Sequence, residues 1–458
     1  MKLREASVSA KLAQTAAIFI ITSMLSLLFL SRARPIVWED HFQIGQNLRS
    51  TGTLTIDDAP SIFRPPGYPG FVAASLWIGD VFSAPTDTPD QRIAERDQRI
   101  VVFAQGFLLG VLAAALFFWA SLWTGFVPAA GVAFTAALNP YSLALANLVS
   151  YHLLFVVLTI LSTLGLFSLR RSSSSGPAAA GAGVLWGLTS LVKPVTLVIP
   201  FFVASLMLMR WPLRPAIKSI VLMGVGMILI VGPYVARNDL ITGQPIVTAQ
   251  GGLAFWGTSI EKMGPDEPFL VWQPIWWKFG MPIFTKVTGS AEYSRPLQNA
   301  YAVQLNAEFS KEARNNIIAA PEIYLYNVFR NFISFNLDTM GFWNKFFVAH
   351  NKRLVQILSE FWIIWLMMLA AVGAIWGCIS NDDDAMMVTA IYLGVVIAHS
   401  ISFATELYTI AKLPLIILGF ALVVRRLEVL PRYGVALARL TAAGAAGLGL
   451  LISGLAVT

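Results

Sequence analysis

Apolar residues in this chain are gathered into long runs with short polar breaks, and two extended polar stretches interrupt the series. An α-helix needs roughly 18 to 25 apolar residues to cross the ~30 Å hydrocarbon core of a bilayer. Runs of this kind fall at 12–30, 100–122, 126–144, 147–169, 178–193, 195–209, 219–236, 354–378, 385–404, 407–424 and 437–457, which predicts about eleven membrane helices. The runs at 126–144 and 178–209 are short or cut by Pro194, so a broken or re-entrant helix is the alternative to separate spans there. Lys2, Arg4 and Lys11 precede the first run and no small-residue cleavage site follows it, so it reads as a retained anchor.

The polar stretches are 35–98, rich in Asp and Glu, and 237–352, rich in Trp and Tyr. In the first, Phe42, Ile44 and Leu48 alternate with polar residues and Gly52 follows, which predicts a helix lying along the membrane surface. In the second, a helical pattern runs from Ala300 to Phe335 with a break at Pro321. The chain therefore divides into 1–34 (cytoplasmic N-terminus and first helix), 35–98 (first extracytoplasmic segment), 99–236 (helices two to seven), 237–352 (large extracytoplasmic segment) and 353–458 (C-terminal helices).

Composition supports the same class: 56% hydrophobic and 12% charged residues are far from a soluble domain. The net charge of +7 is informative through its placement. Arg170 and Arg171, Arg210 to Lys218, and Arg425 to Arg432 all fall on the side of the N-terminus, which the positive-inside rule makes cytoplasmic. The basic surplus marks those loops, and no nucleic-acid partner is expected. Cys378 is the only cysteine, so neither an intramolecular disulfide nor a cysteine metal cluster can form. A nucleotide-binding glycine loop and a repeat of 20 to 50 residues are both missing from the sequence.

The candidate chemistry lies near the outer face. Glu39 and Asp40 stand just past the first helix, and Arg64 follows within RPPGYP. A carboxylate pair and a cation at a membrane face suit an enzyme that deprotonates one substrate and holds a phosphate on another. The plainer reading of the acid pair is that it solvates the end of one helix or caps the next. Lys193 is a lysine amid apolar helix, where a site and snorkelling to the interface are the two readings. Arg237 stands at the outer end of the seventh helix, where it could equally be an anchor.

Taken together, ED(39–40) with IGQNL, RPPGYP(64–69), RDQRIVVFAQ(96–105), NP(139–140), LWGLTSLVKP(185–194), GPYVARN with the downstream GQP and GGLAFWG, APEIYLYNVFRN(320–331) and ELYTIAKLP(406–414) resemble the GT-C membrane glycosyltransferases, in the branch of protein O-mannosyltransferase-like and lipid A aminoarabinose transferase-like proteins. The resemblance implies an all-α integral membrane protein with two large extracytoplasmic segments. It implies a multi-pass enzyme of a bacterial cytoplasmic (inner) membrane that moves a sugar from a polyprenyl-phosphate donor to a lipid, glycan or protein acceptor outside, with inversion. Asp40 would be the general base with Glu39 second, and Arg64, Arg237 and Lys193 would hold the donor phosphate. Tyr68, His152, Trp256 and Tyr408 are the pocket candidates; Trp272, Trp276 and Trp277 read as headgroup anchors. Some relatives carry a second acid where this chain has Ser150, Tyr151 and His152, and Leu407 replaces an arginine that Lys412 could supply. No cofactor is required by this pattern and no metal ligand set is identified, although a divalent metal stays an option. A secondary transporter and a non-catalytic binder of lipid-linked sugar are the alternatives; the missing duplicated halves count against the first.

Overall fold

A computed structural model describes residues 8–37, 40–56, 59–82, 90–171, 175–260, 276–337, 352–402, 410–430 and 434–457. Their regular elements are helices apart from two small ladders. In chain order the elements are α1 (Val8–Arg32), β1 (Ile36–Val37), α2 (His41–Thr51), β2 (Thr55–Ile56), β3 (Ala59–Pro60), α3 (Gly67–Phe82), α4 (Asp90–Ser121), α5 (Phe126–Ala137), α6 (Pro140–Asn147), β4 (Leu148–Val149), α7 (His152–Arg171), α8 (Ser175–Val192), a short turn at Pro194–Val198, α9 (Ile199–Arg210), α10 (Leu213–Thr242) and α11 (Gly251–Ser259). After a turn at Trp276–Gly280 come α12 (Met281–Thr288), α13 (Arg295–Ala300), α14 (Ala302–Ala319), α15 (Pro321–Leu337), α16 (Lys352–Ile379), α17 (Asp383–Ile401), α18 (Leu413–Glu428) and α19 (Gly434–Val457).

Seven helices among the described residues are long and apolar enough to cross a membrane: α1, α4, α7, α10, α16, α17 and α19. An eighth span is reached if α5 and α6, bent by 44°, count as one. The expectation of about eleven is thus met only in part. The 178–209 region is two shorter apolar helices, α8 and α9, parted by the turn after Lys193, and α18 has 16 residues. The bend between α5 and α6 has a residue-level cause. Asn139 donates its amide to the Thr135 and Ala136 carbonyls and accepts from the Ser142 amide, while Pro140 opens α6, so one side chain closes one helix and caps the next.

Small residues let the helices approach closely, as membrane packing requires. A Cβ at Gly183 would overlap the Met223 carbonyl oxygen, and one at Gly226 would overlap that of Ala180, so α8 and α10 touch backbone to backbone. At one end of the bundle charged groups interlock. Asp382, the N-cap of α17, pairs with Arg425 and Arg426 of α18; Arg425 also holds Asp384 at 2.7 Å, and Arg210 of α9 holds Asp383 at 3.2 Å. Burial opposes ionisation of Asp382, but the two arginines outweigh it and its acidity is raised above that of a free carboxyl. The two basic clusters that sequence reading assigned to one face, at Arg210 and at Arg425, therefore meet. The opposite end of α17 lies about 28 Å away over its 19 residues. That end carries the candidate site.

Candidate functional site

A two-residue parallel ladder organises this end. Ile36 pairs with Leu148 and Val37 with Val149, which brings the chain entering Asp40 alongside the chain entering Ser150–His152. Asn147 donates to the Arg34 carbonyl at 2.9 Å, and Gln105, inside α4, donates to the Ala146 and Leu148 carbonyls at 2.8 and 3.0 Å. The Tyr68 hydroxyl donates to the Gln105 side-chain oxygen at 3.0 Å, so α3 is tied into the same network. Asp40 takes the N-cap position of α2 but makes no capping hydrogen bond. Its carboxylate faces Arg64 instead, 3.7 Å from the guanidinium.

Arg64 is presented by a braced loop. Four consecutive carbonyls accept hydrogen bonds from residues of α10 and the chain after it: Ser61 from Arg237, Ile62 from the Ala249 amide, Phe63 from the Thr248 hydroxyl and Arg64 from the Tyr234 hydroxyl. Pro65 and Pro66 then restrict the backbone into α3. A Cβ at Gly67 would lie 2.7 Å from the Leu191 carbonyl oxygen, so this loop rests on the LVKP break and only glycine allows the approach. Further back, Arg49, Asp80, Arg96 and Asp97 interlock α2, α3 and α4.

Lys193 follows directly. Pro194 biases it to an extended backbone, φ −142° and ψ 99°, between α8 and the turn that follows. Its buried ammonium lies 4.9 Å above the Phe155 ring and within electrostatic reach of His152 and His399. His152 shares a 2.6 Å hydrogen bond with Ser150 and stacks on Tyr151 at 4.1 Å; Tyr151 in turn meets His41 at 5.3 Å. His41 is fully buried, and burial first, with the charge of Arg64 second, drives its pKa well below the ordinary histidine value, so it is neutral. His399 stacks on Phe335 at 5.1 Å, and Lys412 donates to the Phe335 carbonyl at 2.9 Å. A second buried lysine thus stands behind the first.

Of the residues singled out from sequence, Asp40, Arg64, Lys193, His152 and Tyr68 gather in this region. Arg237 does not present its guanidinium to the same space: it donates to the Leu54 and Ser61 carbonyls at 3.2 and 3.4 Å and to Asn238 at 2.9 Å. Trp256 lies in a separate core built between Trp256 and Ala313, enclosed by Phe309 at 4.9 Å with Trp276 and Phe284 behind. Trp276 belongs to that core too, whereas Trp277 is exposed. Glu39, Trp272 and Tyr408 lie outside the described residues. His41, Gln105 and His399 join the cluster without having been singled out as site residues. A lone polar residue in an apolar helix was the available signal for Gln105 and His399.

Such an arrangement brings two cations, Arg64 and Lys193, and a carboxylate to the same end of the bundle, a set whose chemistry suits an anion. Among the described residues no three His, Cys, Asp or Glu side chains converge as a ligand set, and Nδ1 of His152 is engaged by Ser150.

No protein-family model and no curated protein matches the sequence. Solved structures do match. The archaeal oligosaccharyltransferase AglB from Archaeoglobus fulgidus, in complex with an inhibitory peptide and a dolichol-phosphate, aligns with 96% of this chain at a TM-score of 0.53 and 11% identity. This chain has the same fold. It spans 55% of the length of that protein. ArnT from Cupriavidus metallidurans bound to undecaprenyl phosphate aligns with 92% of this chain and 79% of its own, at a TM-score of 0.40 and 12% identity.

Proposed function

We propose that this protein is a membrane glycosyltransferase that takes its sugar from a polyprenyl-phosphate donor and delivers it to an acceptor on the extracytoplasmic face. The observation that carries the reading is the Asp40–Arg64 pair, 3.7 Å apart, with Arg64 on a loop seated against the Lys193 break at the end of the bundle opposite the arginine clusters. The fold shared with a dolichol-phosphate-bound transferase supports it further.

In this mechanism Asp40 removes the acceptor hydroxyl proton as its oxygen attacks the anomeric carbon. The bond from that carbon to the phosphate oxygen breaks, and the phosphate leaves with the electron pair. Arg64 and Lys193 stabilise the charge that develops there. An ammonium held away from water gives its electrostatic effect at full strength to a bound anion, which is the advantage of burying Lys193. Arg237 acts at one remove, by fixing the loop that carries Arg64. Because the attack comes from the face opposite the phosphate, the product has inverted anomeric configuration. Neutral His41 adds no further positive charge that would draw the Asp40 carboxylate away from its proton-accepting role.

The test is a panel of radiolabelled polyprenyl-phosphate sugars offered to the purified protein in lipid vesicles. Transfer from one donor, with donor binding weakened in Arg64→Ala and Lys193→Met, is expected. Binding without release of sugar from any donor, across lipid, glycan and peptide acceptors, would make the protein a non-catalytic binder. Absence of both binding and transfer would remove the proposal altogether.

A further inference from the structure

The large outer segment contains a helix whose two faces do opposite things. On α15 the exposed residues are Leu325 65%, Tyr326 57%, Phe329 61%, Phe332 43% and Ile333 37%. At 100° per residue these positions fall within one arc of about 120°. The other face is anchored. Tyr324 donates its hydroxyl to the Ile401 carbonyl at 3.0 Å, and Asn331 donates to the Ser400 and Ser402 carbonyls, each at 3.2 Å. Asn327 donates to the Thr258 and Ile260 carbonyls at 2.8 and 3.1 Å. The bonds of Tyr324 and Asn331 hold α15 across the end of α17 by satisfying carbonyls of its last turn and C-cap, which an α-helix leaves without partners of its own.

α15 is not among the helices apolar and long enough to span a membrane. Its exposed face is nevertheless aromatic and aliphatic over two turns, closed by Glu322 at one end and Asn336 at the other. It is also attached at the place where a span ends. The exposed residues Ile397 and Leu393 of α17 lie one and two turns before Ile401, so the bilayer-facing surface of that helix runs up to the seat of α15. A helix laid across this point sits within about one helix diameter, ~10 Å, of the hydrocarbon boundary. An amphipathic helix at a bilayer surface buries its apolar face to a depth of ~5–10 Å. We propose that α15 is an interfacial helix whose Leu325–Ile333 face is immersed in the outer leaflet, its occupant being lipid. The inference rests on the membrane reading of the chain and is independent of sugar transfer. One consequence concerns the site: the last turn of α15 carries Phe335, which stacks on His399 and is held by Lys412, so one rigid element links the bilayer surface to the lysine cluster.

Cys378 is the only cysteine, so a single nitroxide label can be placed after Cys378→Ser. Labels at Phe329→Cys and, independently, Phe332→Cys would be compared in phosphatidylethanolamine/phosphatidylglycerol vesicles with Ile397→Cys in the span and Lys311→Cys on the exposed surface of α14. The readout is collision with oxygen, which concentrates in lipid, against collision with a water-soluble nickel chelate. The expected result is an oxygen-to-nickel ratio at both α15 sites several-fold above that at Lys311→Cys and approaching that at Ile397→Cys. A ratio equal to that of Lys311→Cys would put the face in water. Exclusion from both reagents would mean that a second copy or another protein covers it. Either outcome overturns the proposal.

Discussion

Neutralising Asp40 separates the two jobs assigned to its pair with Arg64. At 3.7 Å two unit charges attract by about 1 kcal/mol when fully screened by water and by about 4–5 kcal/mol at an effective dielectric constant of ~20. The side chains are 11% and 25% exposed, so the real figure falls between these limits, toward the screened one on the Arg64 side. Asp40→Asn keeps the shape and removes the negative charge that competes with an incoming phosphate for the guanidinium. The affinity for sugar-free polyprenyl phosphate should then hold or rise, by up to about 1 kcal/mol or roughly fivefold. Turnover should fall by about 10²- to 10⁴-fold, the range for loss of a positioned base. The assay pairs initial rates of sugar release from the radiolabelled donor with displacement of a bound polyprenyl phosphate, in vesicles at one salt concentration. If turnover and lipid affinity fall together, Asp40 serves only to position Arg64. If turnover survives in Asp40→Asn and is lost in Glu39→Gln, the base is the neighbouring acid.

Three further outcomes follow from the packing and the charges. His41 is buried with a lowered pKa, so below its unfolded value of about 6.5 the unfolded chain binds a proton that the folded one refuses; stability is full above that pH and drops as pH falls, by up to about 1.4 kcal/mol per unit from this group. Thermal unfolding of wild type and His41→Asn between pH 7 and 5 should therefore diverge in slope, and parallel slopes would contradict the buried neutral state. Gly183→Ala forces a methyl against the Met223 carbonyl oxygen and should destabilise by about 1–3 kcal/mol, read as a lower unfolding midpoint in detergent; an unchanged midpoint would mean that α8 and α10 are not in backbone contact. Arg425→Ala leaves the carboxylates of Asp382 and Asp384 without their shared guanidinium, and should cost about 2–3 kcal/mol, less than the ~3–5 kcal/mol for a fully buried pair because Arg426 stays on Asp382. Arg425→Lys should restore only part of this, since a point charge cannot span both acids.

The spans were legible because a bilayer demands length and apolarity in one continuous run, and both are written into α1, α4, α7, α10, α16, α17 and α19. The bend at Asn139–Pro140 and the break at Lys193–Pro194 were legible for the same reason in reverse, since proline punctuates a helix. The β1–β4 ladder was not: two residues per strand carry no periodicity, and the register that leads to the His41–Tyr151 contact comes from tertiary packing. The carbonyl partners of Arg237 were not legible either, because a sequence names the cation but not its acceptor, and backbone carbonyls of a distant loop are invisible in it. The packing around Trp256 was hidden in a similar way, since nothing in the sequence pairs Gly252 with the backbone of α14 at Asn306, which it admits.

The lysine and histidine cluster was legible in a form that single-residue reading passes over. His152 opens α7, Lys193 follows the end of α8, His399 lies one turn from the end of α17, and Lys412 precedes α18. Each is an ionisable residue at the edge of an apolar element, and each has a local explanation as an interfacial side chain. Their helix directions, with the arginine clusters at the other ends, put all four toward the end of the bundle away from those clusters. Burying such groups singly in hydrocarbon costs several kcal/mol apiece, while gathering them lets each be solvated by its neighbours or by a shared ligand. Four polar edges at one end of the bundle therefore favour contact with one another over isolation in hydrocarbon, and here Lys193 lies over Phe155 while His399 and Lys412 meet at Phe335.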